Sequence, residues 1–381
     1  MRALALNAGS SSLKAALYEL ETLPPLAEPP DPVQRAEVDA EPGEPAGGTV
    51  RRVLERVGGA VDVVGHRVVH GGEHFREPTH VTDEVRSQID ALSASAPLHN
   101  AAALDGVAAA EAALGPGVPQ VAVFDTAFHA SLAPAAYAYA GPYEWLDAGL
   151  RRFGFHGINH EYVAHRAARL LDRELADLRL ITCHLGSGCS LAAVRGGVSV
   201  DTTMGFTPLE GLPMATRSGS VDPGLLLHLL RSPGCSAEAL SELLNQRSGL
   251  AGMAGGTGDL REVLAGRERG EPRAQLAFDV YVHRLRRALG EMLASLGGVD
   301  AVVFTGGIGE AAPAVRAAAL EPFDFLGLVL DPDHNAASPD DANIAHDRSR
   351  VSVLVIAARE DWAIARSAAK GCLGRRSRSG H

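Results

Sequence analysis

Arginines, histidines and carboxylates stand where apolar runs of this 381-residue chain break into glycine. Gly65-His66-Arg67-Val68-Val69-His70-Gly71-Gly72 ends one run with a guanidinium between imidazoles, and Met214-Ala215-Thr216-Arg217-Ser218-Gly219 sets a second arginine in a polar turn. Phe124-Asp125-Thr126 ends another run with a carboxylate, and Phe153-Gly154-Phe155-His156-Gly157 places His156 between glycines. Singly, each segment reads as an ordinary solvated turn. Together they fit phosphoryl transfer, in which a protein mostly positions the reactants and neutralises charge on the moving group. Asp125 and the late carboxylate Glu360 are hard oxygen donors able to hold Mg2+ directly or through water. No cluster has the spacing of a structural zinc site, and no G-x-S-x-G elbow marks a serine hydrolase.

Three loops could cradle phosphate with backbone N–H groups, because glycine lets the chain approach an anion closely. They are Asn7-Ala8-Gly9-Ser10-Ser11-Ser12-Leu13-Lys14, His184-Leu185-Gly186-Ser187-Gly188-Cys189-Ser190 and Thr305-Gly306-Gly307-Ile308-Gly309-Glu310. The third matches neither the Walker A pattern nor the full dinucleotide fingerprint. The chain has two lysines, Lys14 and Lys370, against 33 arginines. Lys14 therefore stands out as a compact point charge beside the first loop, where arginine is not equivalent.

Elements must bring these groups together. Apolar runs at Ala3–Leu6, Asp62–Val69, Gln120–Phe124, Leu178–Cys183, Ala301–Thr305 and Val351–Ile356 read as strands. Helical spacing covers Glu161–Leu175, Ala274–Leu296 and Asp361–Lys370, and Pro313 suits the start of another helix. Such alternation predicts an α/β architecture with mixed sheets. The first two loops echo each other, each following an apolar strand and leading into another, with starts at Asn7 and His184, 177 residues apart. That echo predicts two related lobes.

Composition sets the outer limits. The formal net charge is −11, from 35 basic and 46 acidic residues, which excludes a nucleic-acid footprint as the main theme. No apolar run reaches the roughly 20 residues of a membrane span, and the first residues lack a secretory cleavage pattern. Cys183, Cys189, Cys235 and Cys372 have no metal spacing and are too few for a disulfide scaffold. The expectation is a cytoplasmic two-domain enzyme. The proline- and acid-rich stretch from Glu21 to Gly48 reads as a mobile surface insertion, and the tail from Gly374 to His381 as a frayed end.

In order, the segments NAGSSSLK, GHRVVHGGE, APLHN, VFDTAFH, FGFHG, CHLGSGCSLAAV, DTTMGFTPLEG, TRSG, FTGGIGE and VLVIAAREDWAIAR resemble those of the acetate kinase family, within the acetate and sugar kinase/heat-shock protein/actin superfamily. The resemblance runs from Leu4 to Arg366. It implies two actin-like (ribonuclease H-like) lobes with mixed β-sheets flanked by helices, and an active site in the interdomain cleft. Residues 1–126 and 361–381 would form the N-terminal lobe. Residues 127–360 would form the C-terminal one, carrying nucleotide binding and the dimer face of a homodimer.

The implied reaction is Mg2+-dependent transfer between ATP and acetate, giving ADP and acetyl phosphate, with Mn2+ as an alternative metal. Asn7 and Glu360 would organise the metal. Arg67 and Arg217 would bind the carboxylate and the transferring group, His156 would donate to that group, and Asp125 would orient the arginines or a metal-bound water. His99 and His184 would support the phosphates, with Ser10, Ser12 and Lys14 in the first loop and Gly186, Ser187 and Gly188 in the second. Asp259, Leu260, Arg261, Gly306, Gly307, Ile308 and Gly309 would frame the nucleotide. Val69, Leu98, Phe155 and Pro208 would line a small acetate pocket. This chain departs from the family pattern at Ala101, Ser187, Cys189, Ser220, Gly258 and Ala311, around nucleotide and phosphate contacts. Two alternatives stay open: a propionate or short-chain acyl kinase, and a nucleotide-binding paralogue of low activity.

Overall fold

Short apolar runs become strands here, some Val-rich (VVGHRV, AVVFT, SVLV) and others built on Leu and Ala (RALALNA, SLKAALYE). A computed structural model describes residues 1–8, 12–39, 46–92, 100–337 and 340–376, and arranges their strands in two six-stranded sheets. The chain divides into two compact units. One comprises Met1–Ala130, Phe155–Arg166 and the chain from Arg359 onward, and the other Ser131–Gly154 and Ala167–Ala358. The boundaries expected at 127 and 361 differ mainly in assigning 155–166 to the other unit.

The first sheet contains β1 (Arg2–Ala8), β2 (Ser12–Glu19), β3 (Gln34–Asp39), β4 (Val63–Val68), β5 (Thr79–His80) and β6 (Gln120–Phe124). Its order is β3-β2-β1-β4-β6-β5, with β1, β4 and β6 parallel and the remaining neighbours antiparallel. The second sheet contains β7 (Arg179–Leu185), β8 (Cys189–Arg195), β9 (Val198–Thr202), β10 (Ala301–Thr305), β11 (Ala342–Asn343) and β12 (Ser352–Val355). Its order, β9-β8-β7-β10-β12-β11, repeats the first strand for strand, including every parallel and antiparallel pairing. The two echoing Gly/Ser turns are the β1–β2 and β7–β8 connections, so the repeat seen in sequence is a repeat of architecture.

Apolar strand faces supply each core. In the first unit Leu4, Leu17, Val53 and Val64 have essentially no exposed surface. The helix Glu360–Arg376 buries Trp362, Ile364, Ala365 and Ala368. It can lie that close because β4 carries Gly65, where a Cβ would sit 2.8 Å from an Ile364 methyl and 2.9 Å from its carbonyl oxygen. This approach brings the first residue of the helix, Glu360, to the carboxyl ends of the parallel strands.

Three local expectations change. The described part of the proline-rich stretch is built into the fold: it contains β3, and its backbone is pinned where Trp362 Nε1 donates to Leu26 O, Arg366 Nε to Pro24 O and Arg166 Nη1 to Ala27 O. The third Gly-rich segment is a short helix, Gly306–Ala311, followed by Pro313–Leu320 with proline in its first turn. The last helix continues to Arg376, six residues beyond Lys370, and the remaining tail lies outside the described residues.

Candidate active site

The parallel strands β1, β4 and β6 end side by side, with His66 opposite Leu6 and Ala122, and Val68 opposite Phe124. Asn7, Arg67 and Asp125 therefore emerge at one sheet edge, the carboxyl end where open α/β sheets bind ligands. Arg67 donates from Nε and Nη2 to Asp125 Oδ2, at 2.9 and 2.6 Å. Its Nη1 donates to Ala8 O at 3.3 Å and reaches Asn7 Oδ1 at 3.5 Å. Asn7 Nδ2 donates to Glu360 Oε2 at 2.8 Å. Four residues from distant parts of the chain thus form one hydrogen-bonded chain.

This cluster is nearly dry. The Arg67 side chain is 15% exposed and that of Asp125 1%. Burial opposes the charge on Arg67, but Asp125 and then Glu360 outweigh it and hold the guanidinium protonated. At Asp125 burial pushes the carboxyl up, Arg67 pulls it down and Glu360 pushes it up further, leaving it above the ordinary carboxylate range. Asp125 Oδ1 is buried without a hydrogen-bond partner among the described residues. An orphaned carboxylate oxygen beside Glu360 and Asn7 fits Mg2+ or a water on it, since Mg2+ takes oxygen donors and keeps part of its water shell.

His156 lies in the same unit at φ 58°, in the left-handed region that few non-glycine residues adopt. Its carbonyl accepts from Asn159 and His160 N–H, opening the helix Gly157–Leu170. Gly157 N donates to Asp125 O at 2.8 Å, and a Cβ at 157 would collide with that oxygen, so glycine is required. The backbone thereby couples the His156 turn to Asp125. Phe155 O accepts from His129 Nε2 at 3.0 Å, which fixes the proton on that nitrogen, and the Phe155 ring packs edge-on to His70. Val69 is half-buried just beyond β4. Ser10, Leu98 and His99 lie outside the described residues.

In the second unit β7 and β10 pair with Thr305 opposite His184, which sets the 184–188 turn beside Gly306. Gly306 has φ 77° and a Cβ there would meet Leu185 O at 2.7 Å, whereas Gly307 faces open space. Glu310 Oε1 accepts from Gly306 N at 2.8 Å and Ala358 N at 2.9 Å, closing this segment on itself. The Gly186–Gly188 turn is tied by Gly186 N to Gly188 O and by Ala215 N to Ser187 O. At its end Cys189 Sγ contacts Gly186 O and the Tyr281 hydroxyl, both at 3.4 Å. Arg217 donates from Nη1 to Pro208 O at 3.2 Å and lies 3.7 Å from Met214 Sδ.

Asp259 caps the helix Leu260–Glu268 by accepting from Arg261 N, and the Arg261 side chain folds back onto the same carboxylate on an exposed surface. Those hydrogen bonds hold the Asp259 carboxyl below its ordinary range. Leu260 is buried. Lys14 and Ser12, on β2, both reach Glu37 of β3, at 3.6 and 3.0 Å on an exposed face. Such a pair contributes little to stability. Sequence reasoning named Glu310 in the third loop without giving it a role, and passed over the fully buried Arg316, which donates to Gly309 O, Glu310 O and Asn335. Neither carries a spacing signal that would have marked it.

The profile of the Acetokinase family matches residues 51–366. The chain is 53% identical to the acetate kinase of Gloeobacter violaceus, over 96% of this chain and 98% of that one. Among solved structures it resembles Porphyromonas gingivalis acetate kinase, at TM-score 0.86 and 36% identity over 97% and 99% of the two chains. It also resembles a Francisella tularensis propionate kinase, at 0.85 and 34% over 97% and 99%.

Proposed function

Because the chain belongs to the acetokinase family, we propose that it catalyses reversible, Mg2+-dependent phosphoryl transfer from ATP to acetate, forming acetyl phosphate and ADP. The observation that carries the reading is the buried Arg67–Asp125 pair joined through Asn7 to Glu360 at the ends of three parallel strands. Arg67 and Arg217 bind the acetate carboxylate and compensate charge on the transferring group. His156 donates to that group, and Asp125 holds Arg67 in place. Asn7 and Glu360, with Asp125 directly or through water, would hold Mg2+ (or Mn2+), which supplies further charge neutralisation at the phosphates. His184, the 186–188 turn, 259–261 and 306–309 serve the nucleotide, with Ser10, Ser12 and Lys14 at the first loop.

One carboxylate oxygen of acetate attacks the γ-phosphorus in line as the bond to the ADP oxygen breaks, so no enzyme-bound phosphoryl group forms. The test is acetyl phosphate formation, trapped as the hydroxamate, with ATP, Mg2+ and acetate. No product above a no-enzyme control at saturating substrate would overturn the proposal. The resemblance to a propionate kinase supports a second reading, in which C3 is the better acid. Val69, Leu98, Phe155 and Pro208, as the acid pocket, favour C2, and a methylene is worth only about 1–3 kcal/mol to such a pocket. A kcat/KM series from C2 to C4 decides between them. We further propose a cytoplasmic homodimer; no helix among the described residues is long and apolar enough to cross a membrane.

A further inference from the structure

Arg152, Glu210 and Tyr139 form a closed polar network inside the second unit that the chemistry above leaves unused. Arg152 Nη1 donates to three successive carbonyls, those of Thr202, Thr203 and Met204, at 3.1, 3.1 and 2.9 Å. Its Nη2 donates to Glu210 Oε1 at 2.8 Å. The Tyr139 hydroxyl donates to Glu210 Oε2 at 2.5 Å and accepts from Phe206 N at 2.8 Å. Between them lies Gly205, where any Cβ would collide with the Glu210 carboxylate and the Tyr139 oxygen. Gly205 O in turn accepts from Phe153 N and Gly154 N, immediately before Phe155 and His156 in the chain.

A single planar guanidinium on three consecutive carbonyls dictates the backbone path as no apolar contact can, and charge-assisted hydrogen bonds are the strong ones. The segment so held, 202–211, carries Pro208, whose carbonyl is the oxygen that Arg217 Nη1 grips. Its far end is fastened by Gly211 N to Ser220 Oγ and Ser220 N to Gly211 O, three residues past Arg217. Burial, then the hydrogen bond and charge of Glu210, push the Tyr139 hydroxyl up to about 12. It therefore remains a donor throughout the working pH range.

We propose that Arg152, Glu210 and Tyr139 are positioning residues for the acyl acid: by fixing the 202–211 segment they set the direction of Arg217 and the wall at Pro208, and so the affinity and size preference for the acid. The inference rests on the acetate kinase reading, and wild-type hydroxamate activity, measured first, judges that reading separately. Tyr139→Phe and Glu210→Gln are then compared with wild type for acetate, propionate and ATP, alongside thermal unfolding. Expected are a rise in KM for acetate of about tenfold, as for one lost charge-assisted contact, a KM for ATP within about twofold, and a higher propionate-to-acetate ratio of kcat/KM. Arg152→Lys, a point charge in place of the fork, should behave likewise. Unchanged acetate KM and acid ratio in the tyrosine and glutamate variants would overturn the proposal. So would equal shifts of the acetate and ATP constants, which would signify general loosening. If Glu210→Gln fails to fold, Tyr139→Phe, which deletes one oxygen, still decides.

Discussion

Arg67 and Arg217 share a proposed role but are held differently, and that difference has consequences. Arg67 leans on the buried Asp125 carboxylate, while Arg217 donates to the Pro208 carbonyl and lies beside the Met214 thioether. Truncating either should lower kcat by about 10²–10³, the usual cost of removing one preorganised charge-stabilising donor. Arg67→Ala should also destabilise the fold by about 3–5 kcal/mol, because it strands the Asp125 carboxylate. Adding Asp125→Ala to Arg67→Ala should restore much of the stability and none of the rate. Urea midpoints and hydroxamate rates on the three variants check this, and rate recovery in the double variant would refute the role given to Arg67. Protonation of Asp125 on acidification releases Arg67, and its raised pKa moves that loss above the ordinary carboxylate value of about 3.9. The acid limb of kcat/KM should therefore lie higher than a solvated aspartate would give, and Asp125→Asn should lose both that limb and most of the activity.

At the level of elements, β4 carries two neighbouring ionisable groups with opposite fates. Arg67 goes to the site, while His66, on the other face, has its Nε2 2.7 Å from Gln120 Oε1 of β6. Burial, the largest influence, pushes its pKa down to about 4, so the fold keeps the ring neutral. The unfolded chain protonates it near 6.5. Between about pH 6.5 and 4 the unfolded state therefore binds the extra proton, and stability falls as pH drops, by up to about 3 kcal/mol from this group. Above pH 6.5 the effect is absent. The wild-type drop in urea midpoint from pH 7.5 to 4.5 should exceed that of His66→Gln, and identical drops would rule out the assignment. The parallel strands were legible because each is an apolar run broken by the very glycine, arginine or aspartate that makes the site. Likewise the NAGSSS and HLGSGC echo disclosed the repeated hairpin. What was not legible was long-range pinning. β3 and the turn before it looked like a loose insertion because Trp362 and Arg366, which hold that backbone, lie more than 330 residues away. Glu310 was named only as the end of the third loop, and the half of its role played toward Ala358 N, 48 residues distant, had no local signal.

For the whole molecule, the repeated sheet order gives each unit the same strand ends, yet the two sets of loops have diverged in chemistry. One holds a buried ion pair beside Asn7 and Glu360, and the other presents glycine turns at 186–188 and 306–309. The second unit also carries an exposed apolar surface. The helix Pro223–Leu230 contains five leucines and not one buried residue, with Leu225, Leu227 and Leu230 exposed by 47, 55 and 41%. Asp222 Oδ1 caps its start by accepting from Gly224 N, a contact worth about 1 kcal/mol. Fully burying a leucine is worth about 1.5–3 kcal/mol, so covering what remains exposed on three of them offers several kcal/mol toward association. This helix is accordingly the place to break the proposed homodimer. Leu227→Asp with Leu230→Asp should shift light-scattering mass from about twice the chain's 39.7 kDa toward the single value. Thermal unfolding should fall and lose its dependence on protein concentration, because association stabilises the folded chain by mass action. A dimer that survives both charges would put the interface elsewhere, and a monomeric wild type would remove the homodimer from the proposal while leaving the chemistry of Arg67 and Asp125 untouched.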